Sequence, residues 1–200
     1  MELKYGPLSP YARKVRVVAH EVGVADRIRM TEVKAREEPE AIVPFNPLGK
    51  IPALVLDDGS VLYDSPVICE YLDTEFSGGR LLPAKGPQRW RTLTRVALVD
   101  GALDAGLLAR NERLRPAEKQ SKESIDWQLG KMLRALDTLE KDVPGFGTDL
   151  DLGLVAVGCA MGYLPLRVPE AKDPARWPRL TEWYARIGQR PSFAKTMPVV

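Results

Sequence analysis

Apolar positions change rhythm part-way along the chain, and the change divides it in two. Up to Phe76, short β-prone runs alternate with helical stretches. Leu3 to Tyr5 reads as a strand, and Pro10 to Val22 as a helix whose Val15, Val18, Ala19 and Val22 recur at helical spacing. Met30 to Val33 reads as a second strand, and the helical crossover between the two strands makes them parallel. Ala53 to Leu56 and Val61 to Tyr63 flank Asp57-Asp58-Gly59-Ser60, where Asp-Gly signals a hairpin and hence an antiparallel pair. A further helix opens at Ser65, read as its N-cap, with Pro66 at the first helical position, and runs to about Glu75. The predicted order is βαβ, then ββα.

Residues 77–86, SGGRLLPAKG, have no sustained period and read as a linker. Strand signals then vanish, and helices are predicted over Gln88 to Arg113, Ala117 to Lys141, Asp149 to Tyr163 and Pro178 to Gln189. The expected organisation is an α+β domain over 1–76, the linker over 77–86, and an all-α helical bundle over 87–200. Thr148 and Asp151 have the spacing of a reciprocal helix cap. Leu152, Val155, Ala156, Cys159 and Tyr163 then share one face, which predicts a buried central helix. The stripe Leu180, Trp183, Tyr184 and Ile187 reads as core packing.

Composition narrows the chemistry. With 44% hydrophobic and 28% charged positions in 200 residues, the chain is globular. Its 29 basic and 27 acidic residues are interspersed, which argues against nucleic acid as a partner. The single histidine, His20, rules out a His-rich metal site and reads as structural or exposed. Cys69 and Cys159 form no CxxC pair and read as small core residues. No secretory signal or membrane span is visible, so the expected compartment is the cytoplasm, with no membrane partner.

Three segments remain as candidate chemistry. In Ser9-Pro10-Tyr11-Ala12-Arg13 a strand gives way to a helix, and Ser9 falls at the N-cap. The amides and dipole there favour an anion such as a thiolate; the alternative is that Ser9 only caps the helix. In Asn46-Pro47-Leu48-Gly49-Lys50-Ile51-Pro52-Ala53, Pro52 precedes a strand and is either an ordinary trans proline or a cis one. If cis, the main chain of Ile51 turns outward, where it could pair with an extended peptide. In Tyr63-Asp64-Ser65-Pro66 an acid and a hydroxyl meet a second helix N-terminus. That combination suits the ammonium and carboxylate of an amino-acid head, or else Ser65 is merely a cap.

Together these segments resemble the glutathione-binding half of cytosolic glutathione transferases, and Thr148-Asp149-Leu150-Asp151 resembles the capping motif of that family's helical domain. The resemblance implies a thioredoxin-like N-terminal domain and a helical domain that supplies much of the second-substrate pocket. It implies that Ser9 activates the thiol, with Tyr5 as the competing activator. Ile51 would pair with the cysteinyl backbone, Asp64 and Ser65 would hold the γ-glutamyl end, and Lys50 the glycyl carboxylate. The implied reaction joins glutathione, as co-substrate, to a small hydrophobic electrophile, with no metal or second cofactor, in a homodimer. Isomerase, dehalogenase or lyase chemistry at the same peptide site, and a non-catalytic binding role, are the alternatives. Relatives that carry cysteine where Ser9 stands form mixed disulfides there, and this chain lacks that thiol.

Overall fold

The computed structural model describes residues 1–198, which divide into two compact units. The first runs from Met1 to Trp90 and regains the chain from Arg190 onward; the second is Arg91–Gln189. In the first, β1 (Glu2–Tyr5), α1 (Pro10–Glu21), β2 (Arg29–Glu32), β3 (Ala53–Val55), β4 (Val61–Leu62) and α2 (Ser65–Ser77) follow in the predicted order. The strands lie β2-β1-β3-β4, with β1 parallel to β2, antiparallel to β3, and β3 antiparallel to β4. The hairpin between β3 and β4 closes by the Leu56 N–H donating to Ser60 O over 2.8 Å. Gly59 takes the left-handed φ of 84° that the turn requires.

Alternation along β3 covers both faces of this small sheet. Ala53 is buried with Val33 and Ile42 beneath the irregular segment that follows β2, while Leu54 points the other way and is equally buried. Across the β1–β2 pair, the Glu2 carboxylate accepts from Lys4 Nζ and Thr31 Oγ1, each at 2.6 Å, and pairs with Arg29. These partners, Lys4 foremost, bring its pKa down from 4.5 to about 2. A depressed carboxylate pKa adds stability above the unfolded value and loses it as pH falls through the folded one. In Glu2→Gln, the urea midpoint is therefore expected below wild type above pH 4.5, with the gap closing as pH approaches about 2.

The second unit is entirely helical apart from turns. It contains most of α3 (Pro87–Arg113), then α4 (Lys122–Asp142), α5 (Leu152–Arg167) and α6 (Pro178–Ile187). Every residue of α5 from Leu152 to Leu164 is buried, as expected of the central helix. Its start differs from the sequence expectation. Asp151 itself is the N-cap, its Oδ1 accepting from Leu154 N–H at 2.8 Å, while Thr92 Oγ1 donates to its other oxygen at 3.1 Å. Thr148 and Asp151 are both good caps three residues apart, and the contacts to Thr92 and Arg95 select the second. The stretch expected as one helix from Ala117 is a single 3-10 turn over Ala117–Lys119, and α4 starts afresh after Ser121, whose Oγ accepts from Ser124 N–H at 3.1 Å.

A short helix, α7 (Pro191–Ala194), returns the chain to the first unit. Glu21 at the end of α1 receives Arg190 Nη2 at 2.9 Å and Ser192 Oγ at 2.6 Å. Arg13 donates from Nη2 to Phe193 O at 3.2 Å. No helix among the described residues is long and apolar enough to cross a membrane.

Candidate functional site

Strand register brings the three sequence segments to one end of the sheet. Lys4 pairs with Ala53 at the last β1–β3 rung, so Gly6 and the turn to α1 lie beside Ile51 and Pro52. A Cβ placed on Gly6 would fall 2.7 Å from Ile51 Cδ1, which shows how close the two turns are. Leu54 pairs with Leu62 in turn, so the chain leaving β4 through Tyr63 and Asp64 emerges at that same end. Adjacent strands are about 4.8 Å apart, and the outer two of these three segments are therefore separated by about 10 Å, the span of a short extended peptide.

Each segment presents a different group. Ser9 is the N-cap of α1; its Oγ accepts from Ala12 N–H at 3.2 Å, and the hydroxyl proton is left to donate elsewhere. Its carbonyl begins the helical ladder by accepting from Arg13 N–H at 2.9 Å. Tyr5, the other candidate, ends β1 with its ring beneath the Arg16 guanidinium, 5.3 Å from the ring centre.

The Ile51–Pro52 bond is cis, and Ile51 has no turn or loop backbone hydrogen bond among the described residues. Lys50, next to it, is exposed. The loop before them depends on a residue whose role the sequence did not reveal. Asn46 is 1% exposed; its Nδ2 donates to Lys50 O at 2.8 Å and its Oδ1 accepts from Leu48 N–H at 3.0 Å. A buried amide bridging its own loop fixes where Lys50 and Ile51 stand. Asn46→Ala removes both bridges and leaves the Leu48 N–H and the Lys50 carbonyl unpaired, so ligand affinity at this site is expected to fall by about tenfold or more, with Leu48 gaining amide-exchange rate. Titration and hydrogen exchange on the folded variant check this.

The third segment differs in detail from its sequence reading. Asp64, following a cis Tyr63–Asp64 bond, occupies the N-cap of α2, and Ser65 is the first helical residue. Ser65 was expected as the cap; helix geometry starting one residue earlier displaces it into the first turn. Asp64 makes no capping bond with its side chain and is exposed, whereas Ser65 is 2% exposed. An uncommitted carboxylate therefore stands beside a helix N-terminus whose dipole favours negative charge.

A family model for the glutathione S-transferase N-terminal domain matches residues 8–75, the span that contains all three segments. Over essentially its whole length the chain is also 33% identical to the uncharacterized GST-like protein YibF of Escherichia coli (strain K12), with 99% of this chain and 98% of that protein aligned. The chain belongs to the glutathione S-transferase family. Solved structures agree. A glutathione transferase family member from Pseudomonas fluorescens Pf-5, crystallised with bound glutathione, is 43% identical and superposes with a TM-score of 0.94 over 100% of this chain and 99% of that one. A second structure of a family member from that organism, with bound S-(propanoic acid)-glutathione, gives 43% identity and a TM-score of 0.89 with both chains fully covered. The four-stranded mixed sheet with its helices, followed by an all-helical region, is thus the glutathione transferase fold.

Proposed function

We propose that this chain binds glutathione at the sheet end described above and transfers its sulfur to small hydrophobic electrophiles. One observation carries the proposal: three turns of different chemistry converge at that end in a chain 43% identical to a protein crystallised with glutathione. Ile51 offers main-chain groups to the cysteinyl backbone, as a strand added to the sheet does. Asp64 balances the γ-glutamyl ammonium, and Ser65 with the first turn of α2 takes its carboxylate. Lys50 faces the glycyl carboxylate.

Ser9 is the thiol activator in this reading, preferred to Tyr5. Because its Oγ already accepts from Ala12 N–H, the hydroxyl proton is directed away from the helix and can donate to sulfur. The thiol proton leaves to water and the sulfur forms its bond to the electrophilic carbon; in a substitution the leaving group departs with its bonding pair, and in an addition the displaced π pair stays on the neighbouring atom and takes a proton from water. The family's two-fold homodimer and cytoplasmic setting, and a role in detoxification, complete the proposal.

Calorimetric titration of glutathione tests the binding half directly. Saturable one-site binding is expected, weakened about tenfold or more in Asp64→Asn through loss of the charge pairing with the ammonium. Absence of binding in the wild type would sink the proposal, as would an unaltered affinity in Asp64→Asn combined with Ser65→Ala. Conjugation is then read by following loss of free thiol with a panel of electrophiles.

A further inference from the structure

From Arg190 onward the chain grips α1 at two places, both within the first unit. At the helix C-terminus the Glu21 carboxylate, 9% exposed, takes Arg190 Nε at 3.2 Å and Nη2 at 2.9 Å together with the Ser192 hydroxyl at 2.6 Å. Two turns earlier, about 12 Å along the axis, Arg13 Nη2 donates to Phe193 O at 3.2 Å and to Met197 Sδ at 3.6 Å. A helix of four residues is not stable alone, so α7 owes its order to this docking, which leaves Phe193 and Thr196 fully buried.

Arg13 works against that docking. It is the one buried arginine among the described residues, 2% exposed, and its Nε and Nη1 are closed off from water with no acceptor among those residues. Three of the five N–H donors of a guanidinium are on these two atoms. The Phe193 ring, 5.6 Å from the guanidinium carbon, and the weakly accepting Met197 sulfur offset part of what hydration supplies. Lifting the segment lets water reach the unpaired nitrogens, so this charge favours release while Glu21 favours closure. Phe193 O does not depend on Arg13, because Thr196 N–H and Oγ1 both donate to it at 3.3 Å.

We propose that residues 190–198 are a latch on α1, closed by Glu21 and kept near its point of release by the buried charge of Arg13, and that a filled glutathione site closes it further. The link runs along α1, whose N-cap is Ser9: a ligand that orders the start of this helix favours the segment docked along it. That link rests on the glutathione reading above; the latch itself does not.

Amide exchange on the full chain, read at Phe193, Ala194 and Lys195, tests the latch, since these N–H groups bond within the segment to Arg190 O and Pro191 O. They are expected to exchange through an opening that leaves Val17 and Val18 of α1 protected. Arg13→Met should slow them about tenfold or more by removing the unpaired buried charge, and Arg13→Leu should act in the same direction. Glu21→Gln should speed them by about tenfold. Loss of an ordinary stabilising side chain gives the opposite sign in the two Arg13 variants. Exchange no faster than at Val17 and Val18 overturns the latch. So does a folded Arg13→Met or Arg13→Leu chain that exchanges as fast as wild type or faster, or a Glu21→Gln chain without acceleration. Saturating glutathione is expected to slow exchange in the wild type. Glutathione that binds and leaves the rates unchanged overturns the link; if it fails to bind, the glutathione reading falls, and the variants still decide the latch.

Discussion

Replacing Ser9 by alanine is expected to move the ionisation of bound glutathione upward by about one to two pH units, because a hydrogen bond to a charged acceptor contributes about 1.5–3 kcal/mol. The consequence for rate is less simple than a loss of activity. A thiol pKa of about 6.5 instead of about 8.5 raises the thiolate fraction at pH 7 roughly 25-fold. With a Brønsted slope of about 0.5, the same shift makes each thiolate about tenfold less nucleophilic. The net advantage at pH 7 is only about two- to threefold. It grows toward lower pH, where the variant is almost entirely thiol, and reverses above about pH 7.5, where the wild type is already ionised and the variant's growing thiolate fraction carries the better nucleophile. The measurement is a pH series of thiolate absorbance on the glutathione complex beside single-turnover conjugation rates. An ionisation midpoint that stays in place in Ser9→Ala but moves in Tyr5→Phe would transfer the role to Tyr5.

That arithmetic also says where most of the acceleration originates. If tuning the thiol yields only a small factor at neutral pH, the larger share comes from holding thiolate and electrophile in reactive contact.

How much of this was legible in the sequence depends on whether a residue's partners are close along the chain. Ser9 with Pro10 and the Asp-Gly hairpin announce themselves locally, and the parallel β1–β2 and antiparallel β3–β4 pairs follow from the crossover and the hairpin, whereas the β1–β3 pairing that joins them is a contact between segments far apart along the chain. Asn46 does not, because an asparagine before proline reads as a turn former; its role shows only in the folded loop, where the buried amide bridges Leu48 and Lys50. The return of the chain from Arg190 to the first unit is likewise silent, since its anchor, Glu21, lies 169 residues earlier. The contact of α3 with α5 at Gly106, where Leu164 and Val168 approach, is likewise encoded by no periodicity within either helix. The start of α5 was read as a reciprocal cap of Thr148 and Asp151, whereas Asp151 alone caps the helix, held by Thr92 and Arg95 from another helix.

Asp73 illustrates the same blindness with the largest effect on stability. On sequence it is one polar position among several on α2, yet its carboxylate is 1% exposed and organises the segment that leaves the first unit. Its oxygens accept from Leu81 N–H at 2.9 and 3.1 Å and from Leu82 N–H at 2.7 Å, and they also receive the Ser77 hydroxyl. Leu81 and Leu82 are themselves 0% and 3% exposed, so water cannot replace the lost acceptor at either amide. Each hydrogen bond to a charged group contributes about 1.5–3 kcal/mol, and an amide left buried and unpaired adds its own desolvation cost. Asp73→Ala is therefore expected to lose about 3–5 kcal/mol, a third or more of the stability of a typical domain. At about 2–4 °C per kcal/mol for a chain of this size, Tm falls by roughly 6–20 °C. Asp73→Asn retains one carbonyl acceptor but turns an N–H donor toward the other amide, so about half or more of that loss should persist. Urea unfolding read at the midpoint, with an unchanged slope, measures both variants. A loss below about 1 kcal/mol in Asp73→Ala would mean that solvent reaches Leu81 and Leu82 and that this carboxylate does not hold the segment in place.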